Sequence, residues 1–329
     1  FAGGLLHVLN HALFKSLLVY TAGSIYQHTH TRNIENLGGL MKKMPATAVF
    51  FLIGAAAISG LPPFNGFISE FLIYTGLFKS LMVSDSILSV TLLAGIVALA
   101  VIGGLAVFCF TKVFSIIFLG TARSDKTRHS HEVRRSMLLP KLIIAVLIIT
   151  IGIMPFLMLR PMSFVAGVFV DDTSYLINMA GTMSGISLSL SLFLIFIGIL
   201  LFIKLKLSKV RHSEIGSTWG CAYTGSDPAH HQYSATSYAE YIIMKAKLLV
   251  GVKKHFRPLT KEKIFPSESY FKTGSSDIFE DNLISRPAGA LLSFMEKIAI
   301  FQTGNIQHYL LYAIVFVIVI TIISILGII

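Results

Sequence analysis

Three titratable residues recur at intervals of four near the start of the chain: His7, His11 and Lys15, within Phe1-Ala-Gly-Gly-Leu-Leu-His7-Val-Leu-Asn10-His11-Ala-Leu-Phe-Lys15-Ser16. On a helix each is offset by about 40° from the last, so all three share one face. Along the axis they span about 12 Å at 1.5 Å per residue. The flanking residues are apolar enough to put that face at membrane depth, where a Lys alone costs roughly 2.5–3.5 kcal/mol on insertion scales. Imidazoles and an amine can pass protons and Leu or Phe cannot, so one reading of the row is a proton path. The other is polar glue between helices, with Lys15 snorkelling to an interface. Histidines at i and i+4 can also bind zinc, but no carboxylate or Cys nearby completes a ligand set, so no metal site is expected.

A fourth candidate is Glu70, in Asn65-Gly66-Phe67-Ile68-Ser69-Glu70-Phe71, the one acidic residue that falls inside an apolar span. It follows Gly60-Leu61-Pro62-Pro63-Phe64, where two adjacent prolines remove two backbone donors and clash with the preceding turn, so an unbroken helix is not possible. Broken helices expose backbone groups beside a cavity, and transporters place ion sites there. A carboxyl group in that setting can load and unload a proton. The alternative is a structural carboxylate that caps the second half-helix. Lys79 reads as an edge anchor and Lys112 as a snorkelling residue, while His129-Ser130-His131-Glu132 and His230-His231 read as solvated loop.

The elements that must position these residues are membrane spans. Of 329 residues 54% are apolar and 13% charged, with a mean hydropathy of +0.75. A soluble domain carries about a quarter charged residues. The apolar runs are near the roughly 20 residues that cross a bilayer, and they are continuous rather than alternating, which favours helices over a barrel. Six crossings are expected: 1–26, a broken one over 45–78, 87–119 with a bend at Gly103-Gly104, 139–159, 183–203 and 309–329. The expected fold class is therefore an all-α integral membrane bundle of about six transmembrane helices, one of them broken. It divides into a bundle over 1–204, a polar and amphipathic connector over 205–305, and a terminal anchor helix over 306–329. The chain has no initiator Met and no signal-peptide pattern, so it reads as a C-terminal fragment of a longer protein.

Loop charge sets the orientation. With the broken segment counted as one crossing, one side carries Arg32, Lys42, Lys43, Lys112, Arg123, Lys126, Arg128, Arg134, Arg135 and Lys141. The other side carries Lys79 and Arg160, with Asp85, Asp171 and Asp172. Positive loops stay cytoplasmic, so the chain is expected in a bacterial inner membrane with its C-terminus periplasmic and its connector on the cytoplasmic side. The net charge of +11 is spread over these loops, where lipid headgroups explain it and nucleic acid does not. In the connector, Ser237–Phe256 and Pro287–Gln302 have amphipathic helical patterns suited to an interface or a partner's flank. Pro258, Pro266 and Pro287 prevent one uninterrupted rod, and Thr273-Gly274-Ser275-Ser276-Asp277 reads as loop. Cys109 and Cys221 are isolated, without C-x-x-C, G-x-G-x-x-G or a P-loop, so no cofactor is expected on this chain.

Three blocks in order resemble a known family: His7-Val-Leu-Asn-His11-Ala-Leu-Phe-Lys15-Ser-Leu-Leu, Gly38-Gly39-Leu40-Met41-Lys42-Lys43-Met44-Pro45, and Ile58-Ser59-Gly60-Leu61-Pro62-Pro63-Phe64-Asn65-Gly66-Phe67-Ile68-Ser69-Glu70. They look like the antiporter-like, proton-conducting module of respiratory complex I, Mrp-type antiporters and membrane-bound hydrogenases. The resemblance implies that His7, His11 and Lys15 form part of a central hydrophilic axis and that Glu70 ends one half-channel. Trp219-Gly-Cys221-Ala-Tyr223 and His231-Gln-Tyr233-Ser-Ala-Thr-Ser237 are similar to the hydrogenase-4 component B and formate hydrogenlyase subunit 3 group, with Ala222 where that group usually has Gly. That implies other membrane subunits as partners and, through them, a peripheral arm of nickel–iron hydrogenase and iron–sulfur subunits. An Mrp-like cation/proton antiporter subunit without a redox partner is the alternative.

Overall fold

The first helix is the one against which the broken segment and the helix over Arg135–Ile153 pack. In the computed structural model, which describes residues 1–169, 179–210, 228–246, 251–256, 270–276, 278 and 280–327, α1 spans Ala2–Thr29. The break then divides the next apolar segment into α2 (Pro45–Ile58) and α3 (Asn65–Leu81). It contains a cis Pro62–Pro63 peptide bond, and Gly60 adopts a left-handed φ of 63°. Beyond it come α4 (Ser86–Phe118), the short α5 (Asp125–Arg128), α6 (Arg135–Ile153), α7 (Leu159–Ala166) and α8 (Ala180–Val210). The last helices are α9 (Ala235–Lys245), α10 (Arg286–Ile298) and α11 (Ile306–Ile325). Helices α1, α4, α6, α8 and α11 are long and apolar enough to cross a membrane. The chain is a helical, multi-pass membrane protein.

The two half-helices lie end to end along α1, and the contacts show the order. Gly3 lies against Leu72 and Ile73, His7 against Ser69, Asn10 against Asn65, and Leu18 against Gly54. Moving up α1 steps steadily back through α3 and into α2, so the broken segment runs antiparallel to α1 as one crossing. Small residues make this closeness possible: Ala48, Ala55 and Ala57 are buried, and in lipid it is such residues that let helix backbones approach. Gly152 of α6 lies so close to the Pro63 carbonyl that an added Cβ would overlap it, which clamps the break from the other side. Phe14, Leu17, Phe50 and Ile148 fill the space where α1, α2 and α6 meet.

Two long-range carboxylates fasten the loops at the far end of α1. Met44 precedes α2 and has no side-chain acceptor for its first N–H groups. Glu132 supplies it, accepting from Ala46 N (2.8 Å), Thr47 N (3.2 Å) and Thr47 Oγ1 (2.6 Å). Glu132 is thus a helix cap and not the solvated loop residue expected. Glu35 does the same for α9, accepting from Ala235 N, Thr236 N and Thr236 Oγ1 at 2.9–3.1 Å. Gln232 pairs with both backbone groups of Thr121 at 2.9 Å, and Arg123 donates to the carbonyls of Leu37 and Tyr233. Burial lowers the Arg123 guanidinium from its ordinary value while Glu35 opposes that shift. These bonds dock the start of the connector on the Lys/Arg-rich loops.

The contacts divide the chain into Phe1–Ala239 and Glu240–Ile329. In the second unit the expected helix over Ser237–Phe256 stops at Lys245. Gly251–Phe256 is instead strand β1, paired antiparallel with β2 (Phe271–Ser276), Gly251 opposite Ser276 and Phe256 opposite Phe271. Thr273–Ser276, expected as loop, is therefore paired strand. Glu240 and Lys254 form an ion pair across this unit. Helix α10 keeps the predicted amphipathic pattern, with Leu291, Phe294, Met295 and Ile298 all exposed. Helix α4 runs through Gly103-Gly104 without interruption. Trp219, Cys221, Tyr223, Pro258, Pro266, Asp171, Asp172 and Asp277 lie outside the described residues.

Candidate functional site at the helix break

His7 is the point where α1 meets the broken helix. Its Nδ1 is 3.0 Å from the Ser69 hydroxyl. That hydroxyl has one proton, and Ser69 Oγ donates it to the Gly66 carbonyl at 3.0 Å. Nδ1–H of His7 must therefore be the donor to Ser69, which leaves Nε2 of the neutral ring as a proton acceptor. One turn along α1, Asn10 Nδ2 donates to the Asn65 carbonyl (2.8 Å), and Asn65 Nδ2 donates back to Asn10 Oδ1 (3.0 Å). Asn10, Asn65 and Ser69 are each 0% exposed. Asn65 Oδ1 is buried without a hydrogen-bond partner.

This amide frame follows from the break. Asn65 is the first residue of α3, where the chain resumes as helix after the prolines. The reciprocal amide pair fixes this start of α3 against α1. His7 is held within the same turn.

Glu70 follows Ser69 directly and turns to the other side of α3. Its carboxylate rests against Gly60, where an added Cβ would collide with it. Left-handed φ and lack of a side chain are both needed at that position, so the break shapes the carboxylate's seat. Glu70 is half-buried and lines a cavity of about 560 Å³ together with Tyr74, Thr75 and Lys79. Lys79 thus shares the Glu70 cavity.

The row that opened the sequence argument is spread unevenly. The His7 and His11 ring centres are 6.2 Å apart, and Phe14 packs edge-on against both. His7 is half-buried, whereas His11 and Lys15 are exposed on the flank of α1. The fold brings His7 of α1 against Ser69, the neighbour of Glu70 on the adjacent crossing, and leaves His11 and Lys15 on an open face.

Sequence reasoning overlooked the amides and Lys141. Asn10 and Asn65 lie inside the quoted blocks, and their signal was a carboxamide in an otherwise apolar span. Lys141 was counted as a loop cation because Arg134 and Arg135 precede it. It is 1% exposed inside α6, and its Nζ donates to Ser24 Oγ. Nine cations then remain on the richer side against Lys79 and Arg160, so the charge asymmetry stands.

The site is thus a membrane span broken at adjacent prolines, with a carboxylate seated on the break and a histidine of the neighbouring helix beside it. Residues 1–96 match the family described as NADH:quinone oxidoreductase/Mrp antiporter, transmembrane region. The chain is homologous to hydrogenase-4 component B of Escherichia coli (strain K12), at 30% identity over 97% of this chain and 49% of that protein. It is also homologous to formate hydrogenlyase subunit 3 of the same strain, at 45% identity over 39% of this chain and 21% of that protein. The chain spans about half the length of hydrogenase-4 component B. Among solved structures, a chain of the membrane-bound sulfane sulfur reductase, an archaeal respiratory membrane complex, shares the fold. The TM-score is 0.56 at 18% identity, over 97% of this chain and 47% of that one.

Proposed function

We propose that the chain is part of a proton-translocating membrane subunit of a hydrogenase-4 or formate hydrogenlyase type complex, in which redox chemistry on partner subunits drives protons past His7, His11, Lys15 and Glu70. The observation that carries the reading is the Glu70 carboxylate seated on the Gly60 break, next in sequence to the Ser69 that holds His7. With Nδ1–H committed to Ser69, His7 exchanges protons through Nε2, and Glu70 exchanges them with the cavity it lines. His11 and Lys15 face outward at membrane depth, where a charged group needs a protein or water-filled neighbour. The remaining half of a protein the length of the relatives would provide that neighbour. Similarity over 97% of the chain, connector included, favours the hydrogenase-type reading over an Mrp antiporter subunit. The nickel–iron arm, the inner bacterial membrane and the periplasmic C-terminus belong to this proposal, the last two supported by the surplus of Lys and Arg on one side.

The test uses inverted membrane vesicles containing the full-length protein in its complex. Hydrogen-linked redox turnover is measured together with quenching of a pH-sensitive dye. Glu70→Gln is expected to abolish quenching in an assembled complex. Wild-type quenching per turnover in Glu70→Gln would refute the assigned role.

A further inference from the structure

The row from His7 to Lys15 covers about 12 Å of a hydrocarbon layer roughly 30 Å thick. It occupies the end of α1 that packs on α3. At the other end, nearer the Lys/Arg-rich loops, a second titratable group lies inside the bundle. Lys141 sits six residues into α6, directly after Pro140, and is 1% exposed. Its Nζ donates to Ser24 Oγ, and Ser24 in turn donates its own proton to the Tyr20 carbonyl at 3.0 Å. Among the described residues no carboxylate stands within ion-pair distance of it. A buried ammonium with one hydroxyl partner is costly, and an apolar residue of similar volume would pack the same space without that cost.

What surrounds Lys141 points to exchange with one membrane face. One turn beyond Ser24 on α1, the His28 ring packs against the His131 ring with centres 4.3 Å apart. The next residue after His131 is Glu132, the cap of α2. Ser24 and His7 are 17 residues apart, about 26 Å along the helix, so the two groups sit near opposite ends of the hydrophobic layer. Ser24 lies nine residues from Lys15, about 180° round α1, whereas His7 shares the Lys15 face, which makes them two stations and not one wire.

We propose that Lys141, hydrogen-bonded to Ser24 one turn below His28 on α1, is a second proton-carrying residue that exchanges protons with the Lys/Arg-rich face. The inference rests on the proton-translocating reading above and adds a residue to it. The chemistry is one proton on and one off: the ammonium gives a proton to water at that face and becomes an amine, then takes one back. Either form keeps the Ser24 contact, because the amine retains two N–H donors after losing the third. Lys141 therefore changes charge without moving its neighbours.

The experiment uses the full-length complex in inverted vesicles, with redox rate, dye quenching and complex assembly measured for Lys141→Met, Lys141→Gln and the exchange Ser24→Lys/Lys141→Ser. Expected are assembled complexes in which proton translocation per turnover falls on the order of a hundredfold in the two single variants, the usual lower size for a lost proton-transfer group. The exchange variant, which puts an amine back on the other side of the same contact, is expected to recover most of it. Wild-type translocation in Lys141→Met or Lys141→Gln overturns the proposal, as does failure of all three variants to assemble, which would make the residue structural. Glu70→Gln run in parallel separates the two claims. If it abolishes translocation while the Lys141 variants translocate normally, the second station fails and the first stands. If it translocates normally, the proton-translocating reading loses its Glu70 step, and the Lys141 variants decide the second station by themselves.

Discussion

Asn10→Ala removes no titratable group, yet it should disable the site. One buried group loses its partner, Asn65 Nδ2, which donates to Asn10 Oδ1, and the Asn65 carbonyl loses the donor Asn10 Nδ2 while keeping its place in the α3 ladder. Hydrogen bonds between membrane helices average only about 0.6 kcal/mol, because partners can often be replaced. Here both asparagines are 0% exposed, so water does not replace the lost partner. An unsatisfied buried group costs about 1–3 kcal/mol, which is the expected loss. Asn65→Ala should cost less, about 1–2 kcal/mol, since it breaks one of the two bonds and also deletes the already unpartnered Oδ1. The assay is unfolding of the purified full-length protein by detergent titration, with the two single variants and the double variant completing a cycle. A loss under about 0.5 kcal/mol for Asn10→Ala would refute the argument that this pair holds α1 to α3. So would Asn65→Ala costing more than Asn10→Ala.

Three further outcomes follow from single contacts. Gly60→Ala forces an L-residue into a left-handed conformation at about 1–2 kcal/mol and pushes on the Glu70 carboxylate; both the thermal midpoint and dye quenching should fall, and unchanged values would count against the seat described for Glu70. Glu132→Ala uncaps α2, where Met44 cannot substitute, and should cost about 1–3 kcal/mol in thermal unfolding, while Glu132→Gln keeps an acceptor and should cost less than half of that. Glu35→Ala frees the first turn of α9, and hydrogen exchange at Ala235 and Thr236 should quicken by roughly five- to thirtyfold, the factor that 1–2 kcal/mol represents.

The parts of this fold that sequence makes legible are those written in a short window. Two adjacent prolines forbid a helix whatever surrounds them, so the break after Ile58 and the renewal at Asn65 could be located from eight residues. Period-four spacing likewise puts His7, His11 and Lys15 on one helix face. What escapes is set by partners far along the chain. Glu132 caps a helix 86 residues upstream, and Glu35 caps one 200 residues downstream; in sequence both look like ordinary loop charges. Gly251–Phe256 carries no alternation of apolar and polar residues, and its strand exists because it pairs with Phe271–Ser276. Lys141 falls inside the expected 139–159 crossing although the charge count groups it with the loop cations, and its partner Ser24 lies 117 residues upstream.

The site separates two tasks that have opposite physical requirements. A residue that carries protons must change charge, so it cannot be locked into bonds that suit only one protonation state. A residue that holds two helices in register inside a bilayer should be fully bonded and unable to titrate, because any uncompensated polar group there is expensive. The observed burial follows this division: Asn10, Asn65 and Ser69 are sealed between α1 and α3, while Glu70 faces a cavity and His7 keeps one ring nitrogen uncommitted. It follows that the two classes of residue should be distinguishable in one measurement. Asn10→Ala should lower translocation at every pH by a similar factor, because it misplaces groups that still titrate. Glu70→Gln should leave no translocation at any pH, because the carboxyl that titrates is gone. A pH profile whose shape changes in Asn10→Ala, with stability retained, would place the asparagine among the proton carriers and undo the distinction.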